Sequence, residues 1–70
     1  MKDNRRRLLA VERIIQDNPN GVTVKKILNI LRSRYDIDTE RKAVYNDLAA
    51  LTFFLPIKKE HLGKKQIYKL

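Results

Sequence analysis

Seventy residues with no cysteine leave one small domain that neither a disulfide nor a thiolate metal site can staple, so packing must come from aliphatic side chains. The formal charge of +8 and the isoelectric point near 10.1 point to a polyanionic partner. No apolar run approaches the ~18 residues of a membrane span and no apolar signal-peptide core opens the chain, so a cytoplasmic, reducing setting is expected and no membrane partner.

Asp3 or Asn4 can cap a first helix over about residues 5–17, whose apolar face is Leu8, Val11, Ile14 and Ile15. Pro19-Asn20-Gly21 stops it in a turn. Arg5, Arg6 and Arg7 form a basic run that reads as a solvated chain start or as a reach toward a phosphate. Val22 and Thr23 are β-branched and suit a very short strand, and Thr23 is also the best cap for a second helix over residues 24–35. Val24, Ile27, Leu28, Leu31 and Tyr35 form its apolar stripe, while Lys25, Lys26, Arg32 and Arg34 occupy the rest with no acidic residue between them.

Asp36, Ile37 and Asp38 make a tight connection, with Ile37 expected to plug the gap and Thr39 to cap a third helix over about residues 40–54. Val44, Leu48 and Leu51 recur at helical spacing and should be its buried stripe. At about 100° per residue, Lys42, Asn46, Ala49 and Phe53 fall on the opposite side, with Tyr45 on the shoulder. Asp47 is expected to be structural, paired with an arginine of the second helix. Phe54 should be buried in line with Leu51. Phe53 should be partly exposed as a seat for a second copy or a sensing domain, unless it folds under the following hairpin.

Pro56 ends the helical run. Residues 55–70 read as two short strands about Gly63, a hairpin with Lys58, Lys59, Lys64 and Lys65 expected at its tip and Leu55 and Ile57 toward the core. Which of Ile67, Tyr68 and Leu70 joins them is open. Charge is unevenly spread. Residues 22–35 carry four basic and no acidic residues, residues 55–70 five basic and one acidic, and residues 36–54 two basic and four acidic. The third helix is thus flanked by basic segments without being basic itself, which fits a reading helix between phosphate-gripping parts.

Three helices followed by a basic hairpin, mainly α with a small β hairpin, is the order of a winged helix-turn-helix. The segment from Ile37 to Leu51 resembles the recognition-helix region of bacterial regulators of the DeoR and WYL-domain type, with Arg41, Lys42, Val44, Tyr45, Asp47 and Leu51 matching and Leu48 replacing an equivalent aliphatic residue. Glu40 stands where that family usually has a small hydroxyl cap, Asn46 where an arginine is common, and Phe53-Phe54-Leu55 where a glycine usually follows. The large ligand-sensing domain of those regulators is not evident here, so an effector response is not carried over.

The resemblance implies sequence-specific binding of double-stranded DNA. Lys42, Tyr45 and Asn46 would contact bases, since asparagine pairs bidentately with adenine and lysine donates to guanine. Thr23, Lys25 and Arg41, together with the wing residues Lys58, Lys59, Lys64 and Lys65, would contact the backbone or minor groove. A protein-interaction module and a non-specific nucleic-acid binder are the alternatives. A single His61, placed in the expected hairpin turn, with no clustered carboxylates argues against an enzyme. No cofactor or metal is expected.

Overall fold

The computed structural model describes residues 4–70 and contains three helices followed by an antiparallel hairpin: α1 (Asn4–Asp17), α2 (Val24–Tyr35), α3 (Arg41–Leu51), β1 (Lys58–Leu62) and β2 (Lys65–Lys69). The expectation of a mainly helical chain with a small β hairpin holds at that level. The Asp3 cap lies outside the described residues, while Asn4 opens α1 and accepts a hydrogen bond from the Arg7 guanidinium at 3.2 Å.

α1 buries Ala10, Val11, Ile14 and Ile15. Its end is closed by Asn18, whose side-chain amide donates to the Ile14 carbonyl at 2.7 Å and whose own carbonyl accepts from the Gly21 N–H at 2.9 Å. Pro19 sits where that four-residue turn needs a fixed φ. Thr23 caps α2 as expected: its backbone is extended and its hydroxyl accepts from the Lys26 N–H at 3.1 Å. α2 ends on Asp36, which takes a left-handed conformation at φ 55°. Aspartate tolerates that region better than most side chains. The Asp36 and Ile37 N–H groups both donate to the Leu31 carbonyl, and Ile37 packs against the core as expected.

α3 is shorter than the sequence suggests. Its cap is Glu40 rather than Thr39, and the Glu40 side chain makes no capping hydrogen bond. After Leu51 the backbone tightens: the Phe53 and Phe54 N–H groups reach back only three residues, to Ala50 and Leu51. The angular step therefore changes, and Phe54 leaves the stripe on which a continued helix would place it. It is 82% exposed, against the expectation of burial, and Leu55 turns toward the core instead. Phe53 is 86% exposed. Leu48 and Ile57 are placed as expected, buried and packed against the core respectively.

The hairpin is held to the helices by one short bridge. The Val22 N–H donates to the Tyr68 carbonyl at 3.0 Å and the Tyr68 N–H to the Val22 carbonyl at 2.9 Å. β2 is consequently covered on both sides: Tyr68 joins the main cluster, and its neighbour Ile67 is buried against the Gly21 turn. This settles the open choice among the last residues, with Leu70 exposed.

Asp47 is buried at 6% exposure, paired with Arg7 of α1 and not with an arginine of α2. The contact is bidentate, Arg7 Nε to Oδ2 at 2.5 Å and a terminal guanidinium nitrogen to Oδ1 at 3.0 Å. Arg7 therefore leaves the basic run and serves as an internal tie. Removing one partner of a buried pair strands the other charge, so Asp47→Ala should lose about 3 kcal/mol. Arg7→Met with Asp47→Leu should recover most of it in urea unfolding. A double variant as unstable as the single one would contradict the pairing.

Two glycines have positive φ for different reasons. Gly21 sits at 108°, and a Cβ there would lie 2.6 Å from Ile67 Cδ1; Gly63 sits at 63° in open space. Gly63→Ala should cost only the left-handed penalty, about 1–2 kcal/mol. Gly21→Ala should cost more, adding roughly 1–3 kcal/mol of overpacking. Equal losses in thermal melts would mean that Ile67 does not press on the turn.

Candidate nucleic-acid interface

The antiparallel register sets which lysines meet. Leu62 pairs with Lys65 and Lys58 with Lys69, so Gly63 and Lys64 form the turn. Lys58 and Lys59 lie toward the other end of the hairpin, about 13 and 10 Å along the strand from Leu62 at ~3.3 Å per residue, which corrects their expected place at the tip. His61 likewise lies within β1, opposite Gln66, and not in the turn.

Lys64 and Lys65 overhang a cleft of about 430 Å³ with Thr23, Val24 and Lys25 from the start of α2, Arg41 and Tyr45 from α3, and Gln66 and Tyr68 from β2. Three separate segments thus bring Lys25, Arg41, Lys64 and Lys65 to one place, and no carboxylate among the described residues lines it. Four cations without a counter-charge repel one another, which disfavours the arrangement unless an anion occupies it. The N-terminus of α2 opens onto the same cleft, so its first N–H groups add partial positive charge.

Tyr45 is 41% exposed and forms a wall between this cleft and a smaller groove of about 290 Å³. Leu48, Ala49, Thr52, Ile57, Lys59 and Tyr68 line that second groove. Burial, and secondarily the charge of Tyr45, pushes the Tyr68 phenol above its usual value.

The sequence-derived candidates thus divide into three sets. Thr23, Lys25, Arg41, Tyr45, Lys64 and Lys65 come together in the cleft. Lys42 and Asn46 are exposed on the next row of α3, one helical turn apart, and line neither groove. Lys59 borders the smaller groove, while Lys58 and Phe53 are exposed and touch neither. Gln66 and Tyr68 belong to the cleft without having been expected there. Only the strand register reveals them, and no local pattern in the last residues fixes that register.

Comparison of the chain with protein-family models, curated proteins and solved structures finds no match. Among the described residues no helix is long and apolar enough to cross a membrane, and no group of three or more His, Cys, Asp or Glu side chains is placed to hold a metal ion.

The Tyr68 shift links stability to pH. Its folded pKa lies above its unfolded value, so the folded state holds the phenolic proton more tightly. That contribution is present below about pH 10 and is lost as pH rises through the folded value. In unfolding measurements across this alkaline range, Tyr68→Phe should lose less stability than the parent. Parallel loss in both proteins would contradict the burial of the hydroxyl.

Proposed function

We propose that the chain is a winged helix-turn-helix domain that binds double-stranded DNA in a sequence-specific manner, as a transcriptional regulator or the DNA-binding part of one. α2, the connection through Asp36 and Ile37, and α3 are the helix-turn-helix in this reading, with β1 and β2 as the wing. The observation that carries it is the carboxylate-free cleft where Lys25, Arg41, Lys64 and Lys65 converge beside the outward face of α3. A phosphate backbone crossing that cleft brings α3 to a groove, where exposed Lys42 and Asn46 are positioned to meet base edges. Tyr45, on the boundary, contacts sugar or base. Lys58 and Lys59, at the far end of the hairpin, have weaker roles than Lys64 and Lys65. The exposed Phe53 and Phe54 favour a second reading for that corner, a seat for a protein partner such as a second copy or a sensing domain.

Selection from a random duplex pool should enrich a motif, and affinity for it should fall with salt by about 0.9 log unit per log unit of salt for each phosphate neutralised. Replacing Lys64 and Lys65 together by Ala should weaken all sequences alike and flatten that slope by about 1.8. Replacing Lys42 or Asn46 by Ala should relax sequence preference instead. No enriched motif and no binding at low salt would overturn the proposal.

A further inference from the structure

Tyr45 and Tyr68 line both the cleft and the smaller groove, so the two hollows adjoin. They differ in chemistry. Lys25, Arg41, Lys64 and Lys65 of the cleft enter no ion pair among the described residues; the pairs that form use Arg7, Arg13, Arg32, Arg34 and Lys69 instead. The groove is mainly apolar, with Leu48, Ala49, Ile57 and the two tyrosine rings around it and Lys59 at its border.

The shape of the groove follows from α3. Tyr45, Ala49 and Thr52 recur at i, i+4 and i+7, so they form one row along the helix. Ile57 and Lys59 close the other side from the chain entering β1. Ala49 carries only a methyl group, which leaves space between Tyr45 and Thr52. At about 290 Å³ the groove sits at the small end of ligand pockets, which run from about 300 Å³ upward, and it admits a single ring system. Two polar groups border it. The Lys59 ammonium donates, while the Thr52 hydroxyl already donates to the Ala49 carbonyl at 2.6 Å, so its oxygen is left to accept. A donor and an acceptor beside a flat apolar hollow suit the edge of a nucleobase.

A duplex accounts for the cleft and leaves the groove unfilled, since its bases are paired and stacked and its backbone offers only phosphate and sugar. We infer that the cleft and groove together bind a nucleoside monophosphate, with the phosphate among Lys25, Arg41, Lys64 and Lys65 and the base in the groove against Tyr45. A terminal phosphate carries roughly two negative charges near pH 7, where a backbone diester carries one, so it offsets the four cations better. Such binding rests on the same reading of the cleft as an anion site that the proposed function uses, and it adds a form of regulation. A bound nucleotide takes the cations that a duplex backbone needs, so it displaces the duplex.

Isothermal titration calorimetry on the full chain, comparing adenosine and thymidine monophosphates with inorganic phosphate and with the free nucleosides, tests this. At least one nucleotide should bind saturably and about tenfold more tightly than phosphate or its own nucleoside. Ala49→Leu fills the groove from an exposed position on α3 and should erase that margin while phosphate binding stays. Should the variant bind no phosphate either, Lys59→Ala alone must reduce the margin. Replacing Lys64 and Lys65 by Ala should weaken nucleotide and phosphate together. Saturating nucleotide should weaken binding of the selected duplex. A short single strand with a terminal phosphate that binds about tenfold more tightly than the free nucleotide would identify a strand end as the source of this chemistry, and equal affinity the free nucleotide. Nucleotide binding no tighter than that of phosphate, a margin that survives Ala49→Leu, or duplex binding indifferent to saturating nucleotide would each overturn the inference. Nucleotide binding in the expected pattern with no duplex binding would overturn the proposed function alone.

Discussion

The bidentate contact between Arg7 and Asp47 is the constraint on which the arrangement of the helices depends. Asp47 lies on the inward side of α3, beside Val44, Leu48 and Leu51, where an unpartnered carboxylate would carry a large desolvation penalty. Arg7 offsets that penalty, and the hydrogen bond to Asp47 in turn raises the guanidinium pKa. A fork matched to a carboxylate also has direction, which hydrophobic packing lacks. With Asp47 turned toward α1, Tyr45, Ala49 and Lys42 fall within about 40° of the opposite side of α3. The ion pair and the buried stripe of Val44, Leu48 and Leu51 together set which face of this helix the protein shows.

The second tie is the reciprocal pair of backbone hydrogen bonds between Val22 and Tyr68. An isolated two-stranded hairpin is marginal in water. Here β2 gains Val22, two residues before α2, as a partner on its free edge, and the Tyr68 side chain enters the helical core. The same bridge brings the hairpin turn over the start of α2. Lys64 and Lys65 reach Lys25 and Arg41 because Val22, two residues before Val24, is fixed to β2. The basic cleft therefore follows from packing of the hairpin against the helices, with Gly21 providing the close approach that Ile67 requires.

Much of this was readable from the residues themselves. Thr23 as a cap, the stripes of α1 and α2, and Val44 and Leu48 as core all rest on local chemistry or on a period of 3.6 residues, and they hold. What failed lay in long-range pairing and in the exact course of the backbone at element ends. Nothing near Asp47 in sequence distinguishes Arg7 from the arginines of α2, since the choice depends on how three helices cross. A helical period extended past Leu51 misplaces Phe54, because the Phe53 and Phe54 N–H groups bond to the third residue back. Spacing from Gly63 alone, without a strand register, puts Lys58 and Lys59 at the hairpin tip. In the candidate site, the residue types were legible, while their division between a cleft, an adjoining groove and an outer face was not.

In the proposed function, α3 and the cleft beside it act as one nucleic-acid surface, oriented by the tie between Arg7 and Asp47. Backbone amide shifts recorded by nuclear magnetic resonance during titration with the selected duplex test it most directly. Saturable shifts are expected at Lys25, Arg41, Lys42, Tyr45, Asn46, Lys64 and Lys65, with Leu9, Arg13 and Arg34 undisturbed. Shifts concentrated on α1 and the end of α2, with the cleft silent, would contradict it.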